Sequence, residues 1–429
     1  MRKILSQELE RIKISSEEQK QLQELADSVI FQINKKIKKL KLNASVFVGG
    51  SLAKQTLMKK PKYDIDLFLR FNKKYSDEEI NNLLKKIFRW FKIPGHKVKI
   101  KKVHGSRDYY QIFFKSLNAY VEVVPSIKIT KPEQARNVTD LSFFHVKFIK
   151  KALEKNKKLA DEILLAKSFC HGQKCYGAES YIRGFSGYSL EILIAYYKSF
   201  ARLLREIAKI SPPVIIDPAK QYKKSDNIAK LLNKAKIQSP LIVIDPTFKQ
   251  RNVLSSLSEK SFKKFQEAAQ EFLKNPSLSF FEVTPINLES MKIKTQEAEG
   301  FFAHFRIKTW KQPGDIAGTK LLKFSKFLTR QIKKQYDVIE KEFEYDDNKT
   351  ADVYYVLKQK PELIIQGPHL DRKEAVKAFK KAHPIWYIEN HIIKSAQPTD
   401  ILIKDFFKKF KKSQKKTIKE MGIKKVKLV

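Results

Sequence analysis

Apolar positions along the 429 residues change their period several times, and each change predicts an element. Ile12, Ile14, Leu22, Leu25, Ala26, Val29, Ile30 and Ile33 recur at helical spacing and predict a helix over 7–40. Ala44-Ser45-Val46-Phe47-Val48 is a β-branched and aromatic run ending at Gly49-Gly50-Ser51, the pattern of a strand that turns abruptly. After the break at Lys60-Pro61, Tyr63-Asp64-Ile65-Asp66-Leu67-Phe68-Leu69 alternates as a strand does. A helix is expected over 77–91 with Ser76 as its N-cap, then short strands over 97–103, 109–115 and 119–125. Strands mixed with a few helices predict a small α/β domain.

From Phe143 the period becomes helical, with segments at 143–153, 158–170 and 187–207. Pro212-Pro213, Pro240 and Asn275-Pro276 punctuate the next stretch, in which the apolar runs 214–216 and 241–244 predict two short buried strands. Each run is followed by Asp-Pro, and both look more like turn exits than a repeat. A further α/β segment runs from Leu278 past Gly367-Pro368, and a lysine-studded helical stretch starts near Ile401. These shifts place boundaries near 141 and 275, giving an α/β multi-domain chain.

Charge changes the picture most. There are 87 Lys+Arg against 46 Asp+Glu, a net +41. Lys, Ile, Phe and Asn are all abundant, as base composition alone could make them, but such a bias should raise Glu alongside Lys. A chain this basic repels itself unless a polyanion neutralises it, and nucleic acid is the commonest such partner. An anionic membrane surface fits less well, because no lipidation signal or isolated basic amphipathic anchor is visible. With 42% hydrophobic and 11% aromatic residues the chain can bury real cores, which excludes wholesale disorder. No apolar run approaches the ~20 residues needed to span a bilayer, and the first residues lack the apolar core of a signal peptide. Two cysteines cannot make a disulfide framework, so a soluble cytoplasmic protein is expected.

Asp64 and Asp66 lie two apart in a strand, so both carboxylates project from one face. Side by side they repel, and a hard divalent cation such as Mg²⁺ relieves this while keeping room for substrate phosphates. Two solvated charges on an exposed face are the plainer alternative. Upstream, Gly49-Gly50-Ser51 and Lys54 supply a close-approach turn, a hydroxyl and a cation, which together suit phosphate, although a tight turn alone would also need glycine. Glu122 sits among Val121, Val123 and Val124, where an unpaired carboxylate is costly to bury, so it either meets a cation or faces water from an edge strand.

Gly50-Ser51, then Asp64-x-Asp66, then a distant acidic strand residue is the pattern of the DNA-polymerase-β-like nucleotidyltransferases. Downstream, Tyr176-Gly177-Ala178-Glu179, Arg183 to Tyr188, Asp245-Pro246 with Arg251-Asn252-Val253, and Gly367-Pro368-His369 followed by Phe379 resemble the class I, archaeal-type CCA-adding enzymes. The likeness runs in collinear order over nearly the whole chain. It implies a polymerase-β-like head of mixed sheet with helices over 1–141, a helical central nucleotide-selecting domain over 142–275, and an α+β tRNA-binding body and tail over 276–429. It further implies template-independent addition of C, C and A to tRNA from CTP and ATP, with three carboxylates holding two metal ions.

By position, the resemblance assigns Asp64, Asp66 and Glu122 as catalytic Mg²⁺ ligands, where the family commonly has Glu at the first and Asp at the third. It assigns Gly50, Ser51, Lys54, Lys167 and Tyr176 to the triphosphate; the family usually has Arg at the Lys54 position. Ser142 and His145 match a Ser/Thr-x-x-His nucleotide contact, and Arg251 matches the arginine that helps select C or A. Taken alone, His145 reads as a structural helix residue, Tyr176 as a core aromatic, and Lys167 and Arg251 as solvated charges. Cys170, His171 and Cys175 fall short of the four ligands of a structural zinc site.

Basic and aromatic residues interleave at 260–265 and 406–412. Phe406 and Phe410, four apart, predict the buried face of a helix, leaving Lys408, Lys409, Lys411 and Lys412 outside to track RNA phosphates. Lys424-Lys425-Val426-Lys427 reads as a frayed tail. A poly(A) polymerase, an oligoadenylate synthetase or a non-catalytic tRNA-binding homologue are the alternatives. The oligomeric state is left open, with a homodimer as one expectation.

Overall fold

A capping box splits the first expected helix in two. The Ser15 hydroxyl accepts from the Glu18 N–H at 3.0 Å, and the Glu18 carboxylate accepts from the Ser15 N–H at 3.0 Å. The result is α1 (Arg2–Ile12) and α2 (Ser16–Lys39), the latter burying Leu22, Leu25, Ala26, Val29, Ile33 and Ile37 along one face. The computed structural model describes residues 1–115, 118–223, 228–232, 237–398 and 401–429. They form two compact units, Met1–Thr284 and Pro285–Val429.

In the first unit, β1 (Ala44–Val48) leads into a single helical turn, α3 (Gly50–Ala53), and then β2 (Tyr63–Asn72). Ser76 caps α4 (Asp77–Phe88) in a second capping box with Glu79. After β3 (Val98–Val103), β4 (Tyr109–Phe114) and β5 (Ala119–Lys128), the sheet is complete in the order β1-β2-β5-β4-β3. Only β2 and β5 run parallel. Ile65, Leu67, Leu69 and Phe71 of β2 and Val121 and Val123 of β5 are fully buried on one face of this sheet. The two-residue period therefore puts Asp64, Asp66 and Glu122 together on the other.

The expected helices of the next stretch are α5 (Ser142–Lys155), α6 (Leu159–Gly172), α7 (Gly187–Tyr197) and α8 (Phe200–Lys209). The helix expected over 187–207 breaks because Lys198 turns left-handed at φ 69° and Ser199 recaps α8. The strands expected at 214–216 and 241–244 form, and they give this otherwise helical stretch a small sheet: β6 (Val214–Ile216) lies parallel to β7 (Leu241–Asp245), and β7 folds back on β8 (Phe248–Asn252). A short α9 (Ile228–Leu231) precedes β7, and α10 (Glu259–Lys274) follows β8. Phe169, Phe185, Phe200, Phe265 and Phe272 build a core here, distinct from the one beneath the five-stranded sheet.

The second unit opens with α11 (Leu288–Glu297), β9 (Phe301–Thr309), α12 (Asp315–Ile332), β10 (Tyr336–Tyr345) and β11 (Thr350–Gln359). Then come β12 (Glu362–His369), α13 (Lys373–Ala382), β13 (Tyr387–Glu389) and β14 (Ile392–Pro398). The unit ends with α14 (Ile403–Ser413), α15 (Lys415–Glu420) and β15 (Ile423–Leu428). Its sheets run β10-β11-β9-β15 and β12-β14-β13. The lysine-rich end is thus not frayed: β15 pairs with β9 and buries Ile423 and Val426. A register shift between Ile423 and Lys425 breaks the alternation, which hid the strand. Among the described residues no helix is long and apolar enough to cross a membrane.

Candidate active site

Asp66 of β2 is in register with Glu122 of β5, an interior strand flanked by β2 and β4, so Glu122 is not on a sheet edge. The Asp66 carboxyl is pushed up to about 7, by burial first and then by the charges of Glu122 and Asp64. Burial, with Asp64 adding to it, also raises Glu122, against a 2.7 Å bond from Gln111 Nε2. Lys60 Nζ lies 3.0 Å from Asp64 Oδ1. Among the described residues no three acidic, histidine or cysteine side chains are close enough to enclose an ion as they stand. Asp64 and Glu122 are held by Lys60 and Gln111 instead. The donor set nonetheless fits a hard divalent cation: three oxygen-bearing side chains share a face, and their mutual repulsion is what a cation would relieve.

Gly50 makes this arrangement possible. It sits at φ +56°, and a Cβ there would lie 1.8 Å from Asp66 Oδ2. Gly50→Ala is expected to lose the activity of this carboxylate site by at least about 10²-fold and to be destabilised by about 1–2 kcal/mol from the left-handed backbone alone. Thermal unfolding and activity assays check both effects.

Beyond Gly50, the turn carries Ser51 and ends at Lys54, whose Nζ lies 2.5 Å from Glu191 Oε2 on α7. Lys167 of α6 donates to the other Glu191 oxygen at 3.0 Å, and to the Thr56 hydroxyl and carbonyl at 3.0 and 3.3 Å. Lys54 and Lys167 are thus buried and paired rather than solvated. Tyr176 stacks on His171 with 3.9 Å between ring centroids. A Cβ on Gly187 would lie 2.8 Å from the Tyr176 hydroxyl and 3.7 Å from Lys167 Cε, so Lys167 and Tyr176 meet at the start of α7. Burial, aided by Lys60 and Lys167, holds His171 down at about 4.

A second cluster gathers on Asp245, whose side chain is fully buried at the end of β7. It lies 3.1 Å from His145 Nε2, 2.7 Å from Arg251 Nη1 and 3.0 Å from the Tyr188 hydroxyl. The Thr247 N–H and hydroxyl each donate to it at 2.8 Å. The His145 ring stacks on Tyr188 at 4.0 Å, and the Arg251 guanidinium lies 5.8 Å from the same ring. Ser142, half-buried, opens α5 one turn before His145.

The structure therefore brings the assigned residues of the first unit into three groups: the carboxylate face, the Lys54–Lys167–Tyr176 group, and the His145–Arg251 group. Lys408, Lys409, Lys411 and Lys412 belong to the other unit, exposed on α14 above buried Phe406 and Phe410. Cys170 and Cys175 are free, buried thiols. Sequence reasoning missed Glu191, although a lone Glu between Leu190 and Ile192 was a readable signal. It met Asp245 and Tyr188 only as parts of motifs.

A mixed sheet that presents paired carboxylates beside a glycine turn defines a nucleotidyltransferase. Residues 30–140 match the nucleotidyltransferase domain family, and residues 161–282 match the second domain of tRNA nucleotidyltransferases. A solved structure of the Cid1 poly(U) polymerase superposes with a TM-score of 0.51 at 13% identity, over 66% of this chain and 98% of that one, a likeness of fold. The CCA-adding enzyme of Nanoarchaeum equitans is 36% identical over 306 residues, 71% of each chain. That of Methanocaldococcus jannaschii is 31% identical over 394 residues, 89% of this chain and 84% of the relative. The chain belongs to the CCA-adding enzymes, as its motifs anticipate.

Proposed function

We propose that this enzyme adds C, C and A to the 3′ end of tRNA without a nucleic-acid template, using CTP and ATP and releasing pyrophosphate. The observation that carries the reading is the Asp66–Glu122 register beside Gly50, with Asp64 on the same face. These three side chains would hold Mg²⁺, which when bound supplies positive charge to the reacting phosphate and acidifies the attacking 3′-hydroxyl. Ser51, Lys54, Lys167 and Tyr176 bind the triphosphate and fix the α-phosphate in line with that hydroxyl. Arg251, held by Asp245, presents donors to the edge of the incoming base, and His145 and Ser142 complete that wall. Incubation with CTP alone tests this reading against the poly(A) polymerase and oligoadenylate synthetase alternatives, which should ignore CTP. Incorporation of CMP is expected, and its absence with active, metal-loaded protein would overturn the reading.

The exposed lysines of α14 hold the tRNA backbone by charge rather than sequence. Replacing Lys408, Lys409, Lys411 and Lys412 by Gln should reduce the slope of log affinity against log salt by up to about 3, while kcat at saturating tRNA changes little. Filter binding across a salt series reads the slope directly.

A further inference from the structure

We propose that Glu191 is a positioning residue for nucleotide addition: it never touches the substrate, but holds Lys54 and Lys167 as one preassembled receptor for the triphosphate. The inference rests on the reading of those two lysines as triphosphate contacts.

Glu191 is 1% exposed, on an α7 whose neighbouring residues Leu190, Ile192, Leu193 and Ile194 are fully buried. A carboxylate is costly to bury there unless it is paired and hydrogen-bonded. Both oxygens are engaged: Oε2 by Lys54, Oε1 by Lys167 and by the Thr56 hydroxyl at 3.3 Å. Burial alone would raise its pKa, but the ammonium groups of Lys167 and Lys54 outweigh this and keep it below the ordinary value. The partners come from separate places in the chain: Lys54 from the end of the α3 turn, Thr56 from the loop beyond it, and Lys167 from α6. One carboxylate thereby ties the phosphate-facing turn of the head to two helices of the neighbouring core.

Charge decides what such a knot does. Two ammonium groups against one carboxylate favour a surplus of positive charge, tempered by burial, which lowers the Lys167 pKa. The three Lys167 N–H donors already meet Glu191 Oε1 and the Thr56 hydroxyl and carbonyl, so a phosphate oxygen would take the place of one of the Thr56 contacts. Without Glu191 the ammonium groups would repel each other, and each would have to be gathered when the anion arrives. With it, that ordering is complete before binding, and the surplus charge awaits a polyphosphate. The knot is blind to the base, because it engages only the part that CTP and ATP share. This separates its expected signature from that of Arg251, whose loss should alter the balance between the two nucleotides.

In the full-length protein, Glu191→Gln is expected to raise KM about tenfold for CTP and for ATP alike, with kcat changed less than about threefold. The ratio of the two KM values should not move, and Glu191→Asp should recover most of the loss. Inorganic tripolyphosphate, titrated calorimetrically, should bind the Gln variant about tenfold more weakly than the parent. Should Glu191→Gln fail to fold, Thr56→Val removes one hydroxyl from the same knot and should shift both KM values in the same direction by a smaller factor. A folded Gln variant with parental KM values, or one in which CTP and ATP diverge, overturns the proposal. So does a loss of thermal stability with tripolyphosphate binding unchanged. A parent that adds CMP while Glu191→Gln behaves identically sinks this inference alone; a parent that does not bind tripolyphosphate also sinks the reading of Lys54 and Lys167.

Discussion

Asp66→Asn is expected to lose incorporation of both nucleotides by at least about 10³-fold and yet, in metal-free buffer at pH 8, to unfold at a higher temperature than the parent. The catalytic loss follows because Asp66 is one of the three carboxylates that would hold the metal ion. The stability gain follows from the carboxyl's position: half-buried in the sheet, it is pushed up to about 7 by the loss of solvent and then by the charges of Glu122 and Asp64. In the unfolded chain the same group ionises near 3.9, so the folded protein binds the extra proton between about 4 and 7 and loses stability as pH rises through that window. Asparagine has nothing to ionise. The gain should be of order 2 kcal/mol at pH 8 and shrink towards zero near pH 4. Added Mg²⁺ should stabilise the parent and leave the variant unmoved. Calorimetric unfolding with and without the ion at both pH values would settle this, and an Asn variant less stable than the parent at pH 8 would contradict it.

Asp245→Asn is the second large effect, with the opposite sign. Asp245 is buried beside a histidine, an arginine and a tyrosine, and burial alone would raise its pKa. The bond and charge of His145, with Arg251 and the Thr247 N–H, overcome that and hold the carboxyl well below the usual range. An amide keeps the shape but loses the charge that Arg251 faces and turns an acceptor oxygen into a donor. The cost is expected to be about 3 kcal/mol, with CMP and AMP addition both impaired because His145 and Arg251 lose their common anchor. In the parent, the Asp245 contribution is present above about pH 4 and is lost as pH falls through its depressed folded pKa. Burial also lowers His145, so the unfolded chain takes up that proton first and acid sensitivity begins as pH drops below about 6.5. A pH series of denaturant melts distinguishes the two steps.

The chain shows plainly which of these groups were legible before folding. Strands β1, β2 and β5 and the capped α4 were readable because their signals are local: β-branched alternation and a Ser-x-x-Glu box. The break before α2 was hidden because Ile14 continues the apolar period across it, and the break after α7 because it uses a lysine, not a glycine, in the left-handed region. β8 carries Lys249, Gln250 and Arg251, too polar to look like a strand until β7 pairs with it. At the site, Asp64 and Asp66 declare their shared face by spacing alone. Glu122 needs the parallel pairing of β2 with β5, which is set by tertiary packing. His145 and Asp245 meet across 100 residues, and Glu191 and Lys54 across 137. No local pattern encodes such meetings, so the nucleotide-site residues could be placed only through the resemblance of motifs.

The measurement that bears most directly on this account is incorporation of labelled CTP and ATP into three tRNAs, one ending before the first C, one after one C and one after two. The expected result is two CMP then one AMP on the first, one CMP then one AMP on the second, and a single AMP on the third, with no further extension. Adenylate added without limit, AMP accepted where C is due, or no product from protein that binds tRNA in the presence of Mg²⁺ would contradict it.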